Sequence, residues 1–112
     1  MKATILHNPR CSKSRETLAI LQAHPEIDLE VVDYLNHPPS AGELARLYNK
    51  AGMTARQGLR KTEAGAKDLS SASEAAILDA MAASPVLIER PLVETSKGVR
   101  LGGPPETVRE IL

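Results

Sequence analysis

Cysteine is almost absent from this chain: Cys11 is the only one among 112 residues. A single thiol excludes an internal disulfide and fits a reducing compartment, so the cytoplasm is the expected location. Phenylalanine and tryptophan are missing altogether, and tyrosine occurs only at Tyr34 and Tyr48. The hydrophobic 42% must therefore build an aliphatic core. Net charge is missing as well, because Lys+Arg and Asp+Glu each number 14. Such a balance gives no footprint for nonspecific nucleic-acid binding, so an anion site has to be made locally by a few placed arginines. No apolar run approaches membrane-spanning length, and the N-terminus lacks the basic, apolar and small-residue pattern of a signal peptide. What is left is one domain, residues 1–112, expected to be a monomer.

The chain that remains after these exclusions alternates strand and helix signals. Residues 2–6 read as a strand, 7–13 as a loop, 14–23 as a helix with Leu18, Ile20 and Leu21 facing inward, and 29–34 as a second, valine-rich strand. That βαβ unit requires parallel strands and a right-handed crossover. Ser40 with Glu43 forms a capping box before the apolar stripe Leu44, Leu47, Tyr48 and Ala51, and Gly52 closes that helix. Residues 62–73 are small and polar and read as loop. Ser71 with Glu74 forms a second capping box, for a helix burying Ile77, Leu78 and Met81. Residues 86–89 read as a strand, 92–95 and 99–101 as a hairpin, and Pro104-Pro105 opens a closing helix with Val108, Ile111 and Leu112 facing inward. The fold class is α/β: a mixed four- or five-stranded sheet, βαβ then ββα, flanked by helices and carrying a helical insertion.

Cys11 falls in His7-Asn8-Pro9-Arg10-Cys11-Ser12-Lys13-Ser14-Arg15, at the turn from the first strand into the first helix. Unpaired backbone N–H groups and the helix dipole favour negative charge there, so this thiol should ionise more readily than a free cysteine. Its electropositive, polar flanks fit a reactive thiol better than a buried structural one. Spacing separates the thiol chemistries. A dithiol oxidoreductase needs Cys-x-x-Cys, and the fourth position here is Ser14, so any disulfide needs an external partner. A cysteine-phosphatase loop wants arginine where this chain has Thr17. His24 and His37 lack a protease-like context, and one cysteine with three scattered histidines offers no zinc set, so no metal is expected. His7 can polarise the loop or lower the thiol pKa by charge, or it can be a strand-end histidine held by hydrogen bonds. Ser12 and Ser14 can donate to a thiolate, cap the helix, or do both.

Beyond the cysteine segment, Tyr34-Leu35-x-x-Pro38-Pro39, Leu59-Arg60-Lys61, Ile88-Glu89-Arg90-Pro91 and Gly102-x-Pro104-Pro105-Glu106 follow in one order. Together these segments resemble the glutaredoxin-coupled arsenate reductase family, in its short branch, over essentially the whole chain. The resemblance implies a thioredoxin-like fold and a monothiol arsenate reductase. Cys11 is then the nucleophile, His7, Ser14 and Arg15 tune the thiolate, and Arg60 and Arg90 hold the oxyanion. Pro91 is then a cis-proline. The partners it implies are arsenate, glutathione as co-substrate, and glutaredoxin, with no bound cofactor. Fixed positive charge is needed because a thiolate repels a dianion, and arginine's planar fork suits a tetrahedral oxyanion. The family's third arginine is missing, since Gly103 stands in its place; Arg100 and Arg10 are the candidates to substitute for it. Two further readings keep the fold: an Spx-type regulatory module that binds RNA polymerase, and a thiol oxidoreductase with a substrate other than arsenate.

Overall fold

The computed structural model describes all 112 residues, and their contacts group into two compact units. The first unit joins Met1–Tyr34 to Arg90–Leu112, and the second is Leu35–Glu89. No helix in either is long and apolar enough to cross a membrane.

The first unit holds the whole sheet. Its strands are β1 (Lys2–His7), β2 (Asp28–Asp33), β3 (Leu92–Thr95) and β4 (Gly98–Leu101), in the order β2-β1-β3-β4. The number of strands is four. Helix α1 (Ser12–Ala23) carries the chain from β1 to the parallel β2, while β3 runs antiparallel to both β1 and β4. Alternation along the strands turns Ala3, Ile5 and Val93 to one face. There they meet Leu21 of α1 and Val108 and Ile111 of a closing 3-10 helix, Pro105–Ile111. Leu18 and Ile20 pack against this cluster from a partly buried position. Ile5 is fully enclosed, so its truncation to alanine should cost about 2–5 kcal/mol. The closing helix is also tied by a polar bond: the buried Thr95 hydroxyl donates to the Ile111 carbonyl at 2.6 Å.

The register gathers the ends of several elements. His7 pairs with Asp33, Leu6 with Leu92, and Leu92 with Leu101. The carboxyl end of β1, the entry to β3 and the exit from β4 therefore lie side by side, where α1 begins. Strand β1 has a parallel neighbour on one side and an antiparallel one on the other.

The second unit is helical. Helix α2 (Ala41–Ala51) begins at Ser40, whose hydroxyl accepts from the Glu43 amide at 3.1 Å, and ends at Gly52 in the left-handed conformation at φ 70°. Helix α3 (Glu74–Ala83) is capped by Ser73, which accepts from the Ala76 amide, and not by Ser71 as the capping pattern predicts. The Glu74 carboxylate instead accepts from the Ala55 and Arg56 amides. The 62–73 segment is not all loop: Ala64–Leu69 forms a 3-10 helix around the buried Ala66. The strand expected over 86–89 is a 3-10 turn, Pro85–Leu87, followed by one isolated bridge between Leu59 and Ile88. Pro85 starts that turn because its fixed φ suits a helical first position. Gly58 is required by packing, as a Cβ there would lie 2.4 Å from the Tyr48 ring.

Candidate active site

Cys11 is the N-cap residue of α1, with extended backbone at φ −98° and ψ 123°, and it is partly exposed. Its amide donates to the Asn8 carbonyl at 3.0 Å, and its carbonyl accepts from the Arg15 amide at 3.0 Å. The thiol thus stands in the first turn of a twelve-residue helix, where free N–H groups and the helix dipole favour an anion.

The loop before it is fixed by short polar bonds. The Asn8 side-chain oxygen accepts from the Arg10 amide at 3.0 Å, which closes an Asx turn. One guanidinium nitrogen of Arg15 donates back to the Pro9 carbonyl at 2.9 Å. Arg15 therefore braces the turn that presents the thiol.

Ser14 is fully buried, and its hydroxyl is the hub of the site. Ser14 Oγ accepts from the Asn8 amide at 2.9 Å and lies 2.7 Å from Nδ1 of His7. A hydroxyl has two lone pairs and one proton. If Nδ1 carries its proton, both lone pairs are used and the hydroxyl proton remains to be given elsewhere. His7 itself is buried at the end of β1. Burial pushes its pKa below the usual histidine value; Asp33, its partner across β2, opposes this, and the Arg15 guanidinium adds to it. The ring is thus held toward its neutral form. Of the two sequence readings, the hydrogen-bonded histidine is the one with geometry behind it.

The buried face of α1 continues from Ser14 to Thr17 and Leu21. Two of these three are hydroxyl residues, which apolar periodicity does not single out. The Thr17 hydroxyl is buried and makes no hydrogen bond. It faces Gly102: a Cβ on Gly102 would lie 2.6 Å from Thr17 Oγ1 and 2.8 Å from Pro91 Cγ. Gly102 also donates its amide to the Pro91 carbonyl at 2.9 Å. Only glycine fits between the helix and the proline. The peptide bonds Arg90–Pro91 and Gly103–Pro104 are both cis. Arg90 immediately precedes this junction, and its Nε is enclosed.

The remaining candidates are placed differently. Arg60 belongs to the second unit, where it faces Glu63 at 3.4 Å and its amide donates to the Leu87 carbonyl. Arg100, considered above as a substitute cation, is engaged: Nε bonds Glu110 at 2.9 Å and one terminal nitrogen donates to the Val99 carbonyl. Arg10 is exposed. No group of three or more His, Cys, Asp or Glu side chains is arranged to hold a metal ion. Thr17 and Lys13 were not singled out from the sequence; a hydroxyl three residues beyond Ser14, on the same helix face, was the available signal for Thr17.

Comparisons with known proteins bear on the family and the fold of this chain. A model of the ArsC family matches residues 6–111. An arsenate reductase of Rhizobium meliloti is 44% identical, covering 100% of this chain and 82% of that protein. The uncharacterized protein YfgD of Escherichia coli is 46% identical over 96% of this chain and 94% of its own length. Among solved structures, an arsenate reductase from Vibrio cholerae superposes with a TM-score of 0.92 at 46% identity, covering 100% of this chain and 98% of that one. The fold these structures share is thioredoxin-like.

Proposed function

The chain belongs to the ArsC family, and on that premise we propose that it is a monothiol arsenate reductase in which Cys11 is the nucleophile. The Cys11 thiolate attacks arsenic, and one arsenate oxygen leaves as water, so that arsenic stays pentavalent in the adduct. The glutathione thiolate then attacks the Cys11 sulfur. The sulfur–arsenic electron pair passes to arsenic, which leaves as arsenite, and Cys11 and glutathione share a disulfide. A glutaredoxin thiol exchanges onto the glutathione sulfur and returns Cys11 as a thiol. Two electrons reach arsenic, one supplied by each sulfur of that disulfide. An external thiol is needed because no second cysteine exists in the chain.

The observation that carries this reading is the buried Ser14 hydroxyl. It is held by the Asn8 amide and by Nδ1 of His7, three residues into the segment that Cys11 begins. In the proposed mechanism His7 donates from Nδ1, and Ser14 donates its own proton to the Cys11 sulfur. The neutral imidazole sets the direction of the hydroxyl and adds no charge that would hold the oxyanion away from the Cys11 sulfur. Arg90 supplies positive charge from the entry to β3, and Arg15 keeps the turn in shape.

The test is NADPH oxidation coupled through glutathione reductase, glutaredoxin and glutathione. Oxidation should depend on arsenate and vanish in Cys11→Ser. Arsenate-dependent oxidation that persists in Cys11→Ser would overturn the proposal.

A further inference from the structure

We propose that Lys13 is an oxyanion-binding residue of the Cys11 site, with its ammonium filling the space that Gly103 leaves open. The inference rests on the oxyanion chemistry proposed above and adds a residue to it.

The two adjacent glycines have different reasons for being glycine. Gly102 is forced, since a Cβ there would collide with Thr17 and Pro91. Gly103 is not forced. It is exposed, and the only atom within 4 Å of a Cβ built on it is Lys13 Nζ, at 3.8 Å. That distance is ordinary van der Waals contact. Packing would therefore accept a side chain at 103, and the volume it would enter already contains a cation.

Lys13 is the second residue of α1 and lies two residues beyond Cys11. Its chain leaves the first turn, where the helix end itself favours an anion. Two other cations of this unit are committed. Arg15 donates to the Pro9 carbonyl, and Arg100 is paired with Glu110 and the Val99 carbonyl. Neither Pro9 nor Val99 nor Glu110 is shared with Lys13, whose ammonium has no hydrogen bond or ion pair in the structure. An ammonium on a four-carbon stem acts as a compact, mobile point charge with three donors. Such a group suits a tetrahedral dianion that arrives and departs as a different species. A side chain at 103 would compete for the same volume, so glycine there and lysine at 13 form one device.

The experiment is protection of Cys11 from iodoacetamide by arsenate and, separately, by inorganic phosphate, without glutathione. Rates with and without the anion are compared within each variant, so a change in thiol reactivity cancels. Lys13→Met should weaken protection by both anions roughly ten- to hundredfold, the loss of one charge-assisted contact. Lys13→Arg should keep most of it. Lys13→Met/Gly103→Arg should restore it, because an arginine at 103 returns charge to the same volume. In the coupled assay the Lys13→Met defect should fall on KM more than on kcat. Undiminished protection in Lys13→Met, with the wild type protected, overturns the inference and leaves the arsenate reading standing. Phosphate protection that depends on Lys13, in a wild type that does not reduce arsenate, supports the inference and rejects arsenate as substrate. A wild type protected by neither anion overturns both. Lys13 is exposed, and unchanged thermal unfolding of Lys13→Met checks that the fold is intact.

Discussion

Ser14 Oγ and His7 Nδ1 are 2.7 Å apart, joining the first helix to the end of the first strand across seven residues of sequence. Both groups are buried, and the Asn8 amide shares the same oxygen. Removing the hydroxyl orphans two buried donors at once. Ser14→Ala should lose about 1–3 kcal/mol of stability by urea unfolding. It should also slow Cys11 alkylation, and a variant alkylated as fast as the wild type would remove Ser14 from the thiol's environment.

His7 makes stability pH-dependent in a definite direction. Its pKa in the folded chain is lowered, chiefly by burial. As pH falls through the ordinary histidine range near about 6.5, the unfolded chain takes up a proton that the folded chain resists. Stability should therefore decline on acidification in that window and level off above it. His7→Gln should flatten the decline. Asp33→Asn should steepen it, because Asp33 opposes the shift.

Glycine substitutions should separate packing from chemistry. Gly58→Ala places a Cβ 2.4 Å from the Tyr48 ring, and Gly102→Ala places one 2.6 Å from Thr17 Oγ1. Each should cost about 1–3 kcal/mol of overpacking, read as a lowered Tm. Gly103→Ala meets nothing closer than 3.8 Å and should stay within about 0.5 kcal/mol of the wild type.

Arg100→Ala should leave anion protection of Cys11 unchanged, because its guanidinium is held by Glu110 and the Val99 carbonyl. The ion pair is largely solvent-exposed, so its loss should cost no more than about 1 kcal/mol in chemical denaturation. Weakened protection in this variant would return Arg100 to the oxyanion site.

Tyr48 predicts an alkaline limit. Burial raises its pKa above the free value, and the nearby Glu89 charge adds to the shift. Above about pH 10 the unfolded chain ionises this phenol while the folded chain keeps it protonated, so stability should fall as pH rises. Tyr48→Phe should remove that dependence in alkaline unfolding titrations.

Much of the fold is legible where one residue type has one reason to occur. The valines of β2, the glycine that ends α2 and the Leu92–Leu101 hairpin follow from propensity and turn chemistry. Ser73 takes the capping role that the pattern gives to Ser71, because serines two apart offer the same oxygen and only the chain path decides between them. The 86–89 strand signal yields to Pro85, which starts a 3-10 turn. At the site, the cysteine segment and the Arg90–Pro91 junction are visible in sequence. The placement of Lys13 beside Gly103 and of Thr17 against Gly102 is not, because each depends on a loop about ninety residues away that packing, not spacing, brings alongside.

The Gly102 wedge has a mechanical consequence. With Thr17 on one side and the Pro91 ring on the other, the helix behind Cys11 and the strand entry after Arg90 share one contact without slack. Neither can move closer to the other. In the proposed cycle, a tripeptide joined to Cys11 would extend outward, over the exposed Pro9 and Arg10.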